Sequence, residues 1–208
     1  MSNSENKAAS YAIIGFGKIG QALAKAFARK GIAVYVATTR SPESFSSAAA
    51  EIGPGIIPAT LADAVKADVI FLAVRFESHS DVANALPNWQ GKIIVDVTNA
   101  YGVDPEKLAG LPSAKFVAKA FTGGKIVKGF NHLGDAILEQ DPAVQGGRRV
   151  VFLSSDDDHA TAEIAALAEE LGFAPVKLGS LAEGGQLVQA QGDTWGRLIF
   201  QDLVKFKK

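Results

Sequence analysis

From residue 11 almost to its end, the chain alternates between short apolar runs and helix-like stretches. "YAIIG" (11–15), "IAVYVAT" (32–38), "DVIFLAV" (68–74), "KIIVDV" (92–97), "KIVKGF" (125–130), "RRVVFLS" (148–154) and "FAPVKL" (173–178) read as strands. They are rich in Val and Ile, and several are continuously apolar, the pattern of strands covered on both faces. Between them lie "KIGQALAKAFARK", "SPESFSSAAAEI", "TLADAVK", "SHSDVANAL", "LPSAKFVAKAF" and "DDDHATAEIAALAEEL". The last of these opens on Asp156 to Asp158, favourable charges at a helix N-terminus, and stops at Gly172. Strict alternation predicts right-handed crossovers and an α/β fold with a mostly parallel, doubly wound sheet. It continues to about residue 178, and the remaining ~30 residues are too few for a separate substrate domain. The expected division is a loose N-terminal tail over 1–10, a nucleotide-binding domain over 11–180, and a C-terminal extension over 181–208. That extension is expected to pack on the domain or on a dimer partner.

Composition narrows the function. The formal net charge is −1 and Lys and Arg form no dense block, so nucleic acid and anionic membranes find no basic surface. No apolar run approaches the ~20 residues of a bilayer span. The polar start, "MSNSENKAAS", lacks the apolar stretch of a signal peptide, and the expected location is cytoplasmic. The absence of cysteine removes disulfides, thiolate metal sites and cysteine nucleophiles. With only three dispersed histidines, no metal site is expected. His79, at a helix start, and His159, in "SDDDHA", read as solvated. Nothing matches Gly-x-Ser-x-Gly or a Walker loop.

The chemistry-bearing stretch is "IIGFGKIG", which sets Gly15, Gly17 and Gly20 in a G-x-G-x-x-G pattern. Three such glycines coincide easily in a chain with 21 of them. Here they follow an apolar strand, open an amphipathic helix and lead to a second strand, the context that dinucleotide binding requires. Gly15 would allow the tight turn, Gly17 the close approach of a pyrophosphate, and Gly20 tight helix–strand packing. The N–H groups at the helix start then face the anion.

The second strand ends at Ala37 or Thr38, where an NAD enzyme carries a carboxylate for the ribose hydroxyls. This chain has "TTRSPES" instead. Arg40 is suited to grip a 2′-phosphate and stack on adenine, with Thr38, Thr39, Ser41 and Ser44 as hydroxyl neighbours. The expected cofactor is NADP(H). Ligands of such sheets bind at the carboxyl ends of strands. Ala73, Val74, Arg75 and Ser78, after the fourth strand, are therefore expected near the centre of the cofactor. Thr98 and Asn99, after the fifth, are expected near the nicotinamide ribose. Asp96 within that strand either stabilises a turn or serves the site.

The fingerprint, "TTRSPES", "FLAVRFES", "IIVDVTN" and "KIVKGFNHLG" occur in the order and approximate spacing of one family. Over residues 11–180 the chain resembles the NADPH-dependent F420 reductase family. That family is related to pyrroline-5-carboxylate reductase and to the cytosolic domain of six-transmembrane ferric reductases. The resemblance implies a Rossmann-type, commonly homodimeric NADP oxidoreductase exchanging hydride with a flavin-like ring. It places Phe16, Gly17, Lys18 and Ile19 on the pyrophosphate loop, and Thr39, Arg40 and Ser44 around the 2′-phosphate. Val74 and Ser78 fall on the nicotinamide side and Asn131 on the acceptor side. The chain departs from the family at Arg75, where a Pro is common, and at His132, where a small residue or Thr is common.

The sequence therefore supports hydride transfer between NADP(H) and a small planar acceptor, a flavin or the deazaflavin coenzyme F420 as co-substrate. Asn131 and His132 are expected to position that acceptor, with Phe16 and Phe130 supplying apolar surface. His132 either donates a proton near neutrality or is a loop histidine with ordinary polar partners. Reduction of a small imine or carbonyl, and NADP sensing without turnover, are the alternatives.

Overall fold

In the computed structural model, which describes residues 9–206, the apolar runs become the strands of one sheet. The first half runs β1 (Tyr11–Ile14), α1 (Lys18–Arg29), β2 (Val34–Ala37), α2 (Ser46–Ile52), β3 (Ile56–Pro58), α3 (Leu61–Ala64), β4 (Val69–Leu72) and α4 (His79–Ala83). Then come β5 (Ile93–Asp96), α5 (Ser113–Ala120), β6 (Lys125–Gly129), α6 (Asp135–Leu138), β7 (Ala143–Val144), β8 (Gly147–Ser155), α7 (Asp158–Glu170) and β9 (Ala174–Lys177). The chain ends with α8 (Gly184–Leu187), a hairpin of β10 (Ala190–Gln191) and β11 (Thr194–Trp195), and β12 (Val204–Phe206). Most of the expected tail, residues 1–8, lies outside the described residues. Ser10 already belongs to the domain, its N–H and hydroxyl donating to Asp68 at 2.8 and 2.6 Å.

The strands from β1 to β6 are parallel and ordered β3-β2-β1-β4-β5-β6, the doubly wound arrangement. Burial on both faces explains their continuous apolarity. In β4, Phe71 faces the cluster of α1 and α7 residues that includes Leu23, Phe27 and Ile164. Ile70 and Leu72 face the opposite cluster, with Val117, Phe121 and Trp89. The fold is thus α/β and Rossmann-type, as the alternation implies.

Past β6 the expected parallel run gives way: β8 pairs antiparallel with β6. The physical reason lies in the connection. A parallel partner needs a crossover of a dozen or more residues, usually a helix. Here only the four-residue α6 forms, followed by a two-residue turn between β7 and β8. Its central residues, Gln145 (φ 48°) and Gly146 (φ 85°), both have positive φ, the hairpin geometry. The strand β3 was not expected either. It is three residues at the sheet edge ending in Pro58, a position where a missing N–H is tolerated.

Among the described residues no helix is long and apolar enough to cross a membrane. Residues 187–206 fold back over the carboxyl ends of β5 and β6 and along β8. Their anchors are bonds from Gly192 N–H to Ala100 O (3.2 Å), Phe200 N–H to His132 O (2.7 Å) and Val150 N–H to Leu203 O (2.7 Å).

Candidate active site

β1 and β4 are neighbours whose following segments turn to opposite sides, and the switch point between them opens a crevice. It has two lobes, of about 650 and 370 Å³, which share Gly17, Val74 and Arg75.

The glycine loop separates structural from ligand-directed glycines. Gly15 has φ +104°, and a Cβ there would lie 2.2 Å from the Ala73 carbonyl oxygen. A Cβ on Gly20 would lie 1.9 Å from the Gly15 oxygen. Both are required by the fold itself. A Cβ on Gly17 meets nothing within 4 Å. The fold does not need that glycine, whereas a ligand approaching the backbone would. Gln21 N–H makes the first bond of α1, to the Gly17 carbonyl (2.9 Å). The N–H groups of Lys18, Ile19 and Gly20 consequently have no partner within the helix, and no acidic side chain occupies its first turn. This loop matches the needs of a pyrophosphate. Phe16 is buried, its ring 5.6 Å from that of Phe45.

The smaller lobe is lined by Thr38, Thr39 and Arg40, with Ser78 opposite. Arg40 is exposed, and its backbone N–H donates to Thr38 Oγ1 (3.0 Å), which fixes the turn after β2. Ser41 and Ser44 stand apart from these walls. Ser44 Oγ donates to the Ser41 carbonyl (2.7 Å) at the start of the 3-10 turn Pro42–Phe45. The Glu43 carboxyl is held below its ordinary range by its own backbone N–H and by the Ser41 hydroxyl. His79, expected to be solvated, is buried instead. Its Nδ1 meets the Phe76 carbonyl at 2.5 Å, and its ring packs on Phe76.

The larger lobe is lined by Ala73, Val74 and Arg75 on one side and by Thr98, Asn99 and Asn131 on another. Its floor rests on a buried ion pair that sequence reasoning missed. Lys128 Nζ lies 3.1 Å from Asp96 Oδ2, both side chains fully buried, and also donates to the Thr98 carbonyl. Asp96 Oδ1 accepts from Thr98 N–H (2.9 Å) and Thr98 Oγ1 (2.7 Å). Burial pulls the Lys128 ammonium below its ordinary pKa, and the Asp96 charge opposes that pull. Asp96 is thus the stabiliser of the turn that carries Thr98 and Asn99. Part of the signal was available: Asp96 is the charged residue of β5 and Lys128 a second lysine inside the apolar run of β6, and the structure makes them register partners.

Asn99 and Asn131 form a reciprocal pair. Asn99 Nδ2 donates to the Asn131 carbonyl (2.8 Å), and Asn131 Nδ2 donates to Asn99 Oδ1 (3.0 Å) and to Val188 O (2.6 Å). Because Nδ2 serves two acceptors, the amide orientation is fixed, and Asn131 Oδ1 is left buried without a partner.

His132 does not join Asn131, which corrects the sequence expectation. Phe130 has φ +59°, a left-handed residue that redirects the chain as it leaves β6. Asn131 reaches the larger lobe, while the fully buried His132 ring packs against Phe152, centroids 4.7 Å apart. Burial pushes the His132 pKa down to about 4, against weaker upward pulls from the Val150 backbone and Asp202. Neither ring nitrogen has a hydrogen bond of good geometry. Phe130 is likewise a core residue, packed edge-on against Phe71 and Phe173, and supplies no surface to the crevice. Residues of the lobe that the sequence did not reveal include the aromatic Tyr101 and Phe200 and the acidic Glu77 and Asp135.

With this geometry in view, residues 10–100 match the family described as NADP oxidoreductase, coenzyme F420-dependent. The chain is 30% identical over 178 residues to the metalloreductase STEAP3 of Rattus norvegicus, covering 84% of this chain and 35% of the relative. The chain thus spans about a third of the length of the curated relatives it matches. A solved hypothetical protein of Sinorhizobium meliloti is 39% identical with a TM-score of 0.87, covering 95% of this chain and 96% of that one. A candidate F420-dependent NADP-reductase of an Arthrobacter species is 25% identical with a TM-score of 0.66, covering 83% and 86% of the two chains. The family's NADP-oxidoreductase character accords with a crevice built around an anion-ready glycine loop.

Proposed function

We propose that this chain transfers hydride between NADP(H) and a planar acceptor of the flavin or deazaflavin class, coenzyme F420 included. The observation that carries the reading is the shared crevice: an anion-ready loop at Gly17 joins a lobe with Arg40 to a lobe with the Asn99–Asn131 pair. Gly15, Phe16, Gly17, Lys18, Ile19 and Gly20 would hold the pyrophosphate through backbone N–H groups and the positive helix end. Arg40, Thr38 and Thr39 would hold the 2′-phosphate; Glu43, on the 3-10 turn, does not line the lobe, and the one carboxylate that does, Asp81, stands with Ser78 on the wall opposite Arg40. Thr98, Asn99 and Asn131 would position the nicotinamide end, with Asn131 held in place by its bonds to Asn99 and Val188.

When bound, NADPH supplies two electrons and one proton as hydride, and the acceptor ring takes a further proton from water. The chain's own contribution is positioning, which carries much of the barrier reduction in such reactions. His132 has no part in it: its imidazole is buried and neutral at pH 7.

Calorimetry with both nucleotides tests the cofactor assignment. NADPH is expected to bind at least about tenfold more tightly than NADH, from charge-assisted bonds worth about 1.5–3 kcal/mol. Arg40→Ala should remove that difference and leave NADH nearly unaffected. Equal wild-type affinities would overturn the assignment. A turnover panel of flavins, deazaflavins and small imino or keto acids tests the acceptor, and faster reduction of a small acid would replace it.

A further inference from the structure

We propose that Tyr101, Trp195 and Phe200 form an aromatic wall at the mouth of the larger lobe, on which the flat ring of the hydride acceptor stacks; this rests on the hydride-transfer reading above. The three rings form a continuous row. Tyr101 and Trp195 have centroids 6.0 Å apart, and Trp195 and Phe200 5.4 Å apart. They are 45%, 54% and 49% exposed, so large apolar faces are held in water rather than folded into the core. Tyr101 and Phe200 line the same cavity as Thr98, Asn99 and Asn131.

The backbone is arranged to hold them there. Tyr101 follows Asn99 by two residues, on the turn supported by the Asp96–Lys128 pair. Trp195 sits on the β10–β11 hairpin, whose Ala190 N–H donates to Asn99 Oδ1 (3.2 Å) and whose Gln191 bridges to Ala100. Phe200 adopts φ +57°, a left-handed conformation that is costly for an L residue with a side chain. Its N–H is fixed on the His132 carbonyl at 2.7 Å. A strained residue whose ring ends half-exposed at a cavity mouth gains nothing for the core, which points to a ligand.

The chemistry of the wall selects its occupant. Three π faces and no cation suit a flat, conjugated ring system, which aromatic side chains recognise by stacking. A small carboxylic acid would draw instead on Arg75, which lines the same cavity, and would leave the aromatic row without a role. A cavity of about 650 Å³ is of a size that receives a small molecule. A second copy of the chain would cover the rings from outside, an outcome that the oligomeric state of the Trp195→Ala variant separates from ring stacking.

The test uses the full chain with NADP+ present and riboflavin as the probe, so that no reduction occurs. The chain has two tryptophans, and Trp89 is buried against Phe121, which makes Trp195 the ring open to contact by the probe. Riboflavin should quench tryptophan emission saturably, and Trp195→Phe should abolish most of that signal. Trp195→Ala and Phe200→Gly should each weaken riboflavin binding about fivefold or more, the scale of stacking on one aromatic side chain. Both should leave the NADPH Kd within about twofold. Phe200→Gly is the control for folding, because glycine accepts the positive φ more readily than phenylalanine. Unchanged riboflavin affinity in both variants would overturn the proposal. So would conversion of a dimer to a monomer by Trp195→Ala with riboflavin affinity intact, which would mark the wall as an interface between copies. Wild-type protein that binds NADPH but no flavin would overturn the wall alone, whereas failure to bind NADPH would remove the hydride-transfer reading and the wall with it.

Discussion

The two lobes of the crevice are built by different means. The smaller one and its glycine loop are largely backbone: helix N–H groups, a turn forced by Gly15, and the Thr38–Arg40 turn, with Ser78 and its neighbours as the opposite wall. Its loop and its 2′-phosphate candidates come from 26 consecutive residues, 15–40. The larger lobe shares the end of that loop, Gly17 to Ile19, but is otherwise side chains whose parts come from the segments after β4, β5 and β6 and from the returning C-terminal segment. Asn131 bonds Val188 across 57 positions, and Asn99 accepts from Ala190 across 91. Backbone sites of this kind are tolerant of what surrounds them. Side-chain sites depend on every distant partner being in place, so damage to the larger lobe should spread further.

The sharpest break in that comparison is Lys128→Met. It leaves Asp96 buried without its cation and releases the turn under Thr98 and Asn99. Loss of one partner of a buried pair typically costs about 3–5 kcal/mol. The expected outcome in urea unfolding is destabilisation of that size, with weakened binding at the larger lobe in whatever protein remains folded. A second change, Asp96→Asn, keeps an oxygen for Thr98 while removing the stranded charge, and should restore much of the stability. Loss of less than about 1 kcal/mol in the single variant would show that the pair does not support the turn.

The glycine loop offers a cleaner contrast, because two positions in one motif should fail differently. Gly15→Ala places a Cβ 2.2 Å from a backbone oxygen at φ +104°, and should cost about 2–4 kcal/mol through overpacking and strain. Gly17→Val meets empty space, so its effect on stability should stay near about 1 kcal/mol, as for a changed helix cap. Nucleotide binding should nonetheless vanish in Gly17→Val. A thermal melt and a titration on each variant separate the two roles. A folded Gly17→Val chain that binds NADPH normally would mean that the pyrophosphate does not lie on this loop.

The same division explains what could be read without a structure. The strand β1, the loop and α1 were legible because local rules fix them: an apolar run, glycines at set spacing, then an amphipathic helix. The parallel arrangement of β1, β2, β4, β5 and β6 followed from alternation. The reversal at β8 was missed although "AVQGG" carries a turn signal, since a single positive-φ pair at Gln145 and Gly146 overrides the alternation. His132 was misplaced for a related reason. Adjacent residues leaving a strand were assumed to share a destination, and the left-handed Phe130 sends them apart. Tyr101, Trp195 and Phe200 are brought together by tertiary folding alone, and nothing in their spacing announces it.

His132 supplies the last and smallest test, and it probes the layer behind the larger lobe rather than the lobe itself. The imidazole is fully buried on Phe152, its nitrogens have no well-formed hydrogen bond, and burial pushes its pKa down to about 4 from an ordinary 6.5 against a weaker pull from the Val150 backbone. A lowered folded-state pKa means that the unfolded chain binds the proton more readily between these two values. Stability from this site is therefore complete above about pH 6.5 and is lost as pH falls toward 4. At 1.36 kcal/mol per unit, lowering the pH from 7 to 5 should cost about 2 kcal/mol through this residue. Replacing it with leucine removes a group that must desolvate with only a poorly formed hydrogen bond, so His132→Leu should be near neutral at pH 7. Its urea midpoint should then fall less than the wild type's between pH 7 and 5, while NADPH affinity at pH 7 stays the same. Parallel acid profiles for the two proteins would show that the ring finds a proton-accepting partner in solution. A drop in NADPH affinity alone would place His132 back among the residues that serve the crevice.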